Sequence, residues 1–275
     1  MKATSSPLGK FLVTAGSLNA TVLSGMNSAI ETFPANPPAP AVHPAPPLPA
    51  TRSGAAAASW VARVLVFGST CILVGVLWDI SWHKTIGRDT FWTPAHLAIY
   101  LGGLLGGLVS GALILWTTFL GTAAEHGSTV RIWGFRGPLG AWVCTWGALA
   151  MLTSAPFDNW WHDAYGLDVK ILSPPHTVLA LGMFAIVIGA LLLVLREQNL
   201  GGTVANPPGR HLLVYAGGLI LAMVAVFLTE LSLPNQQRTH LFYLVSAASY
   251  PLYLVAVGRA ARHRWACTLA ALVYV

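Results

Sequence analysis

The chain has 275 residues, 55% of them hydrophobic and only 9% charged. Soluble domains carry about 25% charged residues, so an ordinary soluble globular fold is excluded. The net charge of +6 is scattered between apolar stretches and builds no basic, aromatic-interleaved surface for nucleic acid.

Residues 1–57 differ from the rest. From Pro34 to Pro49, 8 of 16 residues are proline, mixed with alanine. Such a segment cannot bury a core, and an extended or disordered tail is expected. Apolar segments follow at roughly 58–82, 94–120, 138–156, 174–195, 211–230 and 240–258. Each is near the length needed to cross a hydrocarbon layer of about 30 Å. A seventh begins near Trp265 and runs off at Val275, which reads as a truncated span. The expected fold is all-α: a polytopic transmembrane bundle of six or seven spans. It divides into the tail (1–57), a four-helix membrane core (58–196) and additional helices (197–275).

Three cysteines, Cys71, Cys144 and Cys267, lie far apart inside apolar stretches with no CxxC pair. That argues against a disulfide framework or a zinc–thiolate site. Lysine and arginine are distributed unevenly. The tail with Arg63, and the connections holding Arg131, Arg136, Arg196, Arg210, Arg259, Arg262 and Arg264, contain 11 of the 15. The other side holds Lys84, Arg88, Lys170 and Arg238. By the positive-inside rule the N-terminus is cytoplasmic, and the connections after spans one, three and five face outward. An integral protein of a bacterial inner membrane is the expected location.

Five of the nine acids, Asp79, Asp89, Asp158, Asp163 and Asp168, fall in two short outward-side segments, where carboxylates are costly and mark sites. These segments repeat. Asp79-x3-His83 and Asp158-x3-His162 each follow a large aromatic. Each has a Gly four residues after its His (Gly87, Gly166), an Asp two beyond that (Asp89, Asp168), and a Pro-x-His opening the next span: Pro94-Ala95-His96 and Pro174-Pro175-His176. The offset is 79 residues up to Asp89/Asp168 and 80 afterwards, so the repeat unit is two helices and both copies point the same way.

Asp79 and His83, at i and i+4, share a helix face. His96 starts the next span behind a proline suited to a helix N-terminus, and a short connection brings it back toward the pair. One carboxylate and two imidazoles then surround a point; Asp158, His162 and His176 repeat the arrangement. Such a donor set suits copper, iron, zinc or nickel. Asp89 and Asp168 either accept hydrogen bonds from the far ring nitrogens of the histidines or pair with Arg88 and Lys170. Trp82, Trp92, Trp160 and Trp161 read as an interfacial belt, and His43, His126, His211 and His263 as loop residues. Histidine pairs on separate helices also suit a di-haem cytochrome, but the Asp at each site and the edge position argue against it.

The run Trp82-His-Lys-Thr-Ile-Gly-Arg-Asp-Thr-Phe-Trp-Thr-Pro-Ala-His96 resembles the signature of the C subunit of the particulate methane and ammonia monooxygenases, the copper membrane monooxygenase family. The family shows a WH-x-T-x2-RDT-x2-TP-x-H pattern with an Asp four residues before the first His. The second segment, Asp158 to His162 and on to Pro174-Pro-His176, is similar to the family's second metal-binding run. The resemblance implies that Asp79, His83 and His96 ligate one intramembrane copper and are the catalytic set. It implies that His162 and His176 serve a second copper position, with Asp158 standing where the family has Asn. A carboxylate holds a divalent metal more tightly than an amide, so metal preference or redox behaviour should differ there. Asp168 stands where the family has Glu.

The close likeness covers about 23 residues around the first motif and about 20 around the second; the helix layout extends it over 58–196. The chain departs in its Pro/Ala tail and in three apolar segments after residue 200. The resemblance implies an enzyme subunit that activates O₂ at copper and hydroxylates a small apolar substrate, an alkane, alkene or ammonia. It further implies A and B partner subunits in the bilayer and an external electron donor, since no flavin, nicotinamide or haem-c motif is present. The rival expectation is a non-catalytic integral membrane protein that binds copper or zinc.

Overall fold

The structure, a computed structural model, describes residues 52–87, 90–122, 126–166, 173–200, 209–231 and 240–275. The tail up to residue 51 and the two acids Asp89 and Asp168 lie outside the described residues. Seven helices follow one another: α1 (Arg52–Thr85), α2 (Pro94–Phe119), α3 (Leu139–Tyr165), α4 (Pro174–Leu200), α5 (Arg210–Leu231), α6 (His240–Ala261) and α7 (Ala266–Tyr274).

Trp60–Thr85, Pro94–Phe119, Pro174–Leu200, Arg210–Leu228 and Phe242–Ala261 are long and apolar enough to cross a membrane. A 26-residue helix rises about 39 Å, more than the roughly 30 Å of hydrocarbon. The chain is an integral membrane protein with an all-α bundle. Among the described residues, five helices reach this standard where six or seven spans are expected from the sequence. The 27-residue α3 is long enough, but Trp142, Thr145, Trp146, Thr153 and Ser154 dilute its aliphatic content. It also continues nine residues past the expected end at 156, passing through Pro156 and carrying Asp158 and His162 as helical residues. α7 has nine residues, Ala266–Tyr274.

Between α2 and α3 lies a feature that hydropathy does not reveal, a β-hairpin of β1 (Val130–Ile132) and β2 (Phe135–Gly137) with Ile132 opposite Phe135. Its two-residue turn puts Trp133 at φ 50° and Gly134 at φ 91°, the left-handed pair that matches strand twist. The Thr118 hydroxyl, on the last turn of α2, accepts the Arg136 N–H at 2.8 Å and fastens the hairpin to the helix.

The principal packing units are the pairs α1–α2 and α3–α4. Each crosses at a glycine–glycine contact. Gly68 meets Gly102 in the first pair, and Gly147 meets Gly182 in the second. A Cβ added at Gly147 would lie 2.7 Å from the Gly182 carbonyl oxygen, and one at Gly182 would lie 2.7 Å from the Gly147 oxygen. Lipid tails are as apolar as the side chains, so close backbone approach through small residues is what holds such pairs together. These glycines obey the offsets of the polar repeat, 79 from Gly68 to Gly147 and 80 from Gly102 to Gly182. The repeat is therefore a whole helical hairpin, not only its polar end. Between and beside the pairs lies one continuous core containing Leu65, Ile72, Ile186, Leu213 and Met223, all nearly solvent-free.

Candidate metal centre

Each hairpin turns at a polar edge, and the turns are built alike. Helix α1 ends where Gly87, at φ 101°, donates its N–H to the Trp82 carbonyl at 3.1 Å; α3 ends where Gly166, at φ 84°, donates to the His162 carbonyl at 3.0 Å. A glycine at positive φ just past the last turn ends each helix in a conformation that a residue with a Cβ would adopt only under strain. Both next helices open with a hydroxyl residue, a proline and a histidine two places later. Thr93 precedes Pro94 and His96, and Ser173 precedes Pro174 and His176. The buried Thr93 hydroxyl accepts the Thr90 N–H at 2.8 Å and donates to the Thr90 carbonyl at 2.8 Å. In the second copy the Ser173 hydroxyl accepts the His176 N–H at 3.4 Å.

These turns return each Pro-x-His histidine to its Asp-x3-His pair. In the first set Asp79 Oδ1 faces His96 Nε2 at 3.2 Å and His83 Nε2 at 3.8 Å. In the second, Asp158 faces His162 Nε2 at 3.5 Å through Oδ2 and His176 Nε2 at 3.5 Å through Oδ1. All six sequence-derived donors are thus gathered into two groups of three, each centred on its carboxylate. Among the described residues, no three or more His, Cys, Asp or Glu side chains close into a ready-made metal cage. The donors face one another in Asp–His pairs instead.

The hydrogen bonds on the far side of the rings reveal what those pairs accommodate. His96 Nδ1 donates to the Thr90 carbonyl at 3.0 Å, and His162 Nδ1 donates to the Gly166 carbonyl at 3.2 Å. A carbonyl only accepts, so the proton is on Nδ1 and the Nε2 of a neutral ring carries a lone pair. Each Nε2 faces a carboxylate oxygen, 3.2 Å away for His96 and 3.5 Å for His162, a pairing that is complementary with a proton or a cation between the two atoms. Asp79 Oδ1 and Asp158 Oδ1 are both buried and make no hydrogen bond. Two facing acceptors repel unless a proton or a cation lies between them.

Metal–nitrogen and metal–oxygen bonds of about 2.0–2.2 Å separate adjacent donors by roughly 2.8–3.6 Å, from right-angled to tetrahedral arrangements. The Asp79–His96 separation falls inside that range, the Asp158 separations at its upper end, and Asp79–His83 just outside. Histidine ligands bonded through their second nitrogen to a backbone carbonyl are the usual supporting arrangement. One carboxylate and two imidazoles without a thiolate fit copper, zinc, iron or nickel.

The surroundings are aromatic. Phe91 packs on Tyr100 beside His96, with centroids 5.0 Å apart, and Trp161 stacks on Tyr165 at 4.4 Å below the second set. Of the four tryptophans expected at the interface, Trp92 and Trp160 are the exposed ones, at 71% and 54%, as a membrane-surface belt requires.

Two histidines read as loop residues behave otherwise. His211 belongs to the first turn of α5, and its ring lies 5.4 Å from that of His263. His126 is held locally, its Nε2 donating to the Thr117 carbonyl at 2.8 Å. No protein-family model, curated protein or solved structure matches the chain.

Proposed function

We propose that the chain is a subunit of a copper-dependent membrane monooxygenase that hydroxylates a small apolar substrate, an alkane, an alkene or ammonia. The reading rests on the motif resemblance of residues 82–96. One observation supports it above the others: Nδ1 of His96 is committed to the Thr90 carbonyl, while its Nε2 faces the buried, unbonded Asp79 Oδ1 at 3.2 Å.

Asp79, His83 and His96 would hold the copper of the catalytic set, and Asp158, His162 and His176 a second ion. Copper there supplies O₂ activation. The protein's part is to bind, orient and shield. Asp79 places one negative charge against the two rings and so favours a cationic occupant over a neutral one. The Thr90 and Gly166 carbonyls hold the Nδ1 protons of His96 and His162, which keeps their Nε2 lone pairs available. Phe91, Tyr100, Phe157 and Trp161 flank the sets, and an apolar substrate reaches such an edge by partitioning into the bilayer. Electrons come from an external donor. A and B partner subunits, and a bacterial inner membrane with the basic edge cytoplasmic, complete the assignment.

A static metal-binding protein without oxygenase activity is the second reading. It is favoured by the confinement of both donor sets to one edge, which also disfavours transport across the bilayer. Replacing His83 and His96 together with alanine should remove one metal equivalent from a still-folded bundle. Unchanged metal content would overturn the assignment for both readings, and a wild-type chain that holds the metal but oxidises no alkane, alkene or ammonia would favour the second.

A further inference from the structure

At the edge opposite the Asp/His sets, α5, α6 and α7 bring basic side chains together. Arg210 and His211 open α5, and Arg262, His263 and Arg264 form the turn between α6 and α7. The turn is tight: Arg262 adopts φ 49°, a left-handed conformation disfavoured for a residue with a Cβ. It brings the His263 ring against that of His211, while Arg210 Nε donates to His211 Nε2 at 3.3 Å. Arg264 lies over the Trp265 ring at 5.7 Å. Partial desolvation, and then the charges of Arg210, His211 and Arg264, hold the His263 imidazole below its usual range. Every charged group acting on it is basic. The acid on the adjoining α4, Glu197, interacts with Arg63 and Arg196.

Directly beneath this cluster, toward the bilayer centre, a cavity of about 130 Å³ opens between α4, α5 and α6. Leu191, Leu195, Leu213, Tyr253, Val257 and Ala260 line it. The Tyr253 hydroxyl is turned aside to the Gly217 carbonyl at 2.8 Å, which leaves only apolar wall. The pocket is open on one side, so a hydrocarbon chain can enter along its apolar wall. The two features are in register. Leu213 lies three residues below Arg210, about 4.5 Å along the helix, and Ala260 lies two residues before Arg262. The Gln198 amide, donating to the Ala260 carbonyl, pins α4 to α6 at this level.

We propose that this is a binding site for an anionic phospholipid, its phosphate on Arg210, Arg264 and the two imidazoles and one acyl chain entering the apolar cavity. Charge and shape select the same occupant. A free anion would leave the cavity unused, and the cationic group of a zwitterionic headgroup is repelled where Arg210, Arg262 and Arg264 gather. The proposal depends on the membrane-spanning fold and is independent of the metal assignment.

The test is lipid competition on the full chain. The protein is delipidated in a neutral detergent and offered phosphatidylglycerol and phosphatidylcholine of identical chains, with bound lipid read by native mass spectrometry. Phosphatidylglycerol should be retained at least about fivefold better, the increment expected per cationic side chain at a membrane surface. R210Q/R264Q should abolish that preference, whereas R210K/R264K, which keeps the charge, should preserve it. Ala256, at the open side of the same pocket, is replaced by Phe, and Ala256→Phe should lower retention of both lipids alike. A thermal shift measured in phosphatidylcholine identifies any variant that fails to fold, and the wild-type comparison does not depend on the variants. Equal retention of the two lipids, a preference that survives R210Q/R264Q, or undiminished binding in Ala256→Phe would overturn the proposal. Displacement of phosphatidylglycerol by millimolar inorganic phosphate would reduce the site to a plain anion site and overturn it too.

Discussion

Replacing Gly182 with alanine tests whether the glycine crossings set the geometry of the polar sites. The new Cβ would lie 2.7 Å from the Gly147 carbonyl oxygen, 2.8 Å from Met151 Cγ and 3.0 Å from the Met151 nitrogen. Ordinary contact begins near 3.4 Å, so α3 and α4 must separate by about 0.7 Å at their crossing. Two of the obstructing atoms are backbone and cannot turn aside. Overpacking costs about 1–3 kcal/mol, here at the upper end, and alanine's better helix propensity returns at most about 1 kcal/mol. The net loss is about 2 kcal/mol, a fall in Tm of about 4–8 °C for a domain of this size. Gly111, with nothing within 4 Å of its added Cβ, is the matched control, and Gly111→Ala should be neutral or slightly stabilising. Tryptophan fluorescence during thermal unfolding in lipid nanodiscs reads both variants. Gly182 lies six residues, about 9 Å of helix, from His176, so metal occupancy of the second set should fall with stability. If Gly182→Ala is as stable as Gly111→Ala, close packing at the crossing is not what holds the hairpin.

The turns offer independent tests. Thr93→Val deletes the hydroxyl that bridges the Thr90 N–H and carbonyl; it should cost about 1 kcal/mol and weaken metal at the first set about 10–100-fold, as loss of a supporting shell does, leaving the second set intact. Gly166 holds φ 84° and ψ −178°, a region open essentially to glycine alone. Gly166→Ala should therefore cost about 1–3 kcal/mol in thermal unfolding and lower metal affinity at the second set only. Asp158→Asn should weaken divalent-metal binding there by on the order of tenfold or more, read by competition with a chelator, because an amide replaces the anionic donor. An unchanged affinity would show that Asp158 does not ligate.

The polar half of each hairpin is legible in the sequence because its residues are rare in a membrane chain. Asp-x3-His, the glycine four places on and Pro-x-His each have a mechanical role, and all six donors come together where the spacing puts them. The apolar half is hard to read in the sequence for the opposite reason. Gly68, Gly102, Gly147 and Gly182 obey the same offsets, but glycine is abundant here, with 27 in the chain, and carries no chemistry to attract notice. The β-hairpin at 130–137 is too short and too polar-flanked for a hydropathy pattern, and only Gly134 marks its turn. The expected span ends at 156, but α3 runs on through Pro156 to Tyr165, since one proline does not stop a helix packed along most of its length against α4. His211 and His263 show no spacing pattern because their contact is tertiary, made by the tight turn at Arg262.

The most direct test of copper at these sites is elemental analysis with copper EPR on the wild-type chain, purified in lipid without added chelator. The expected result is one to two coppers per chain with a nitrogen-coordinated type 2 signal, reduced by one equivalent in the His83→Ala/His96→Ala variant. Zinc alone, or no bound metal, would contradict a copper monooxygenase subunit.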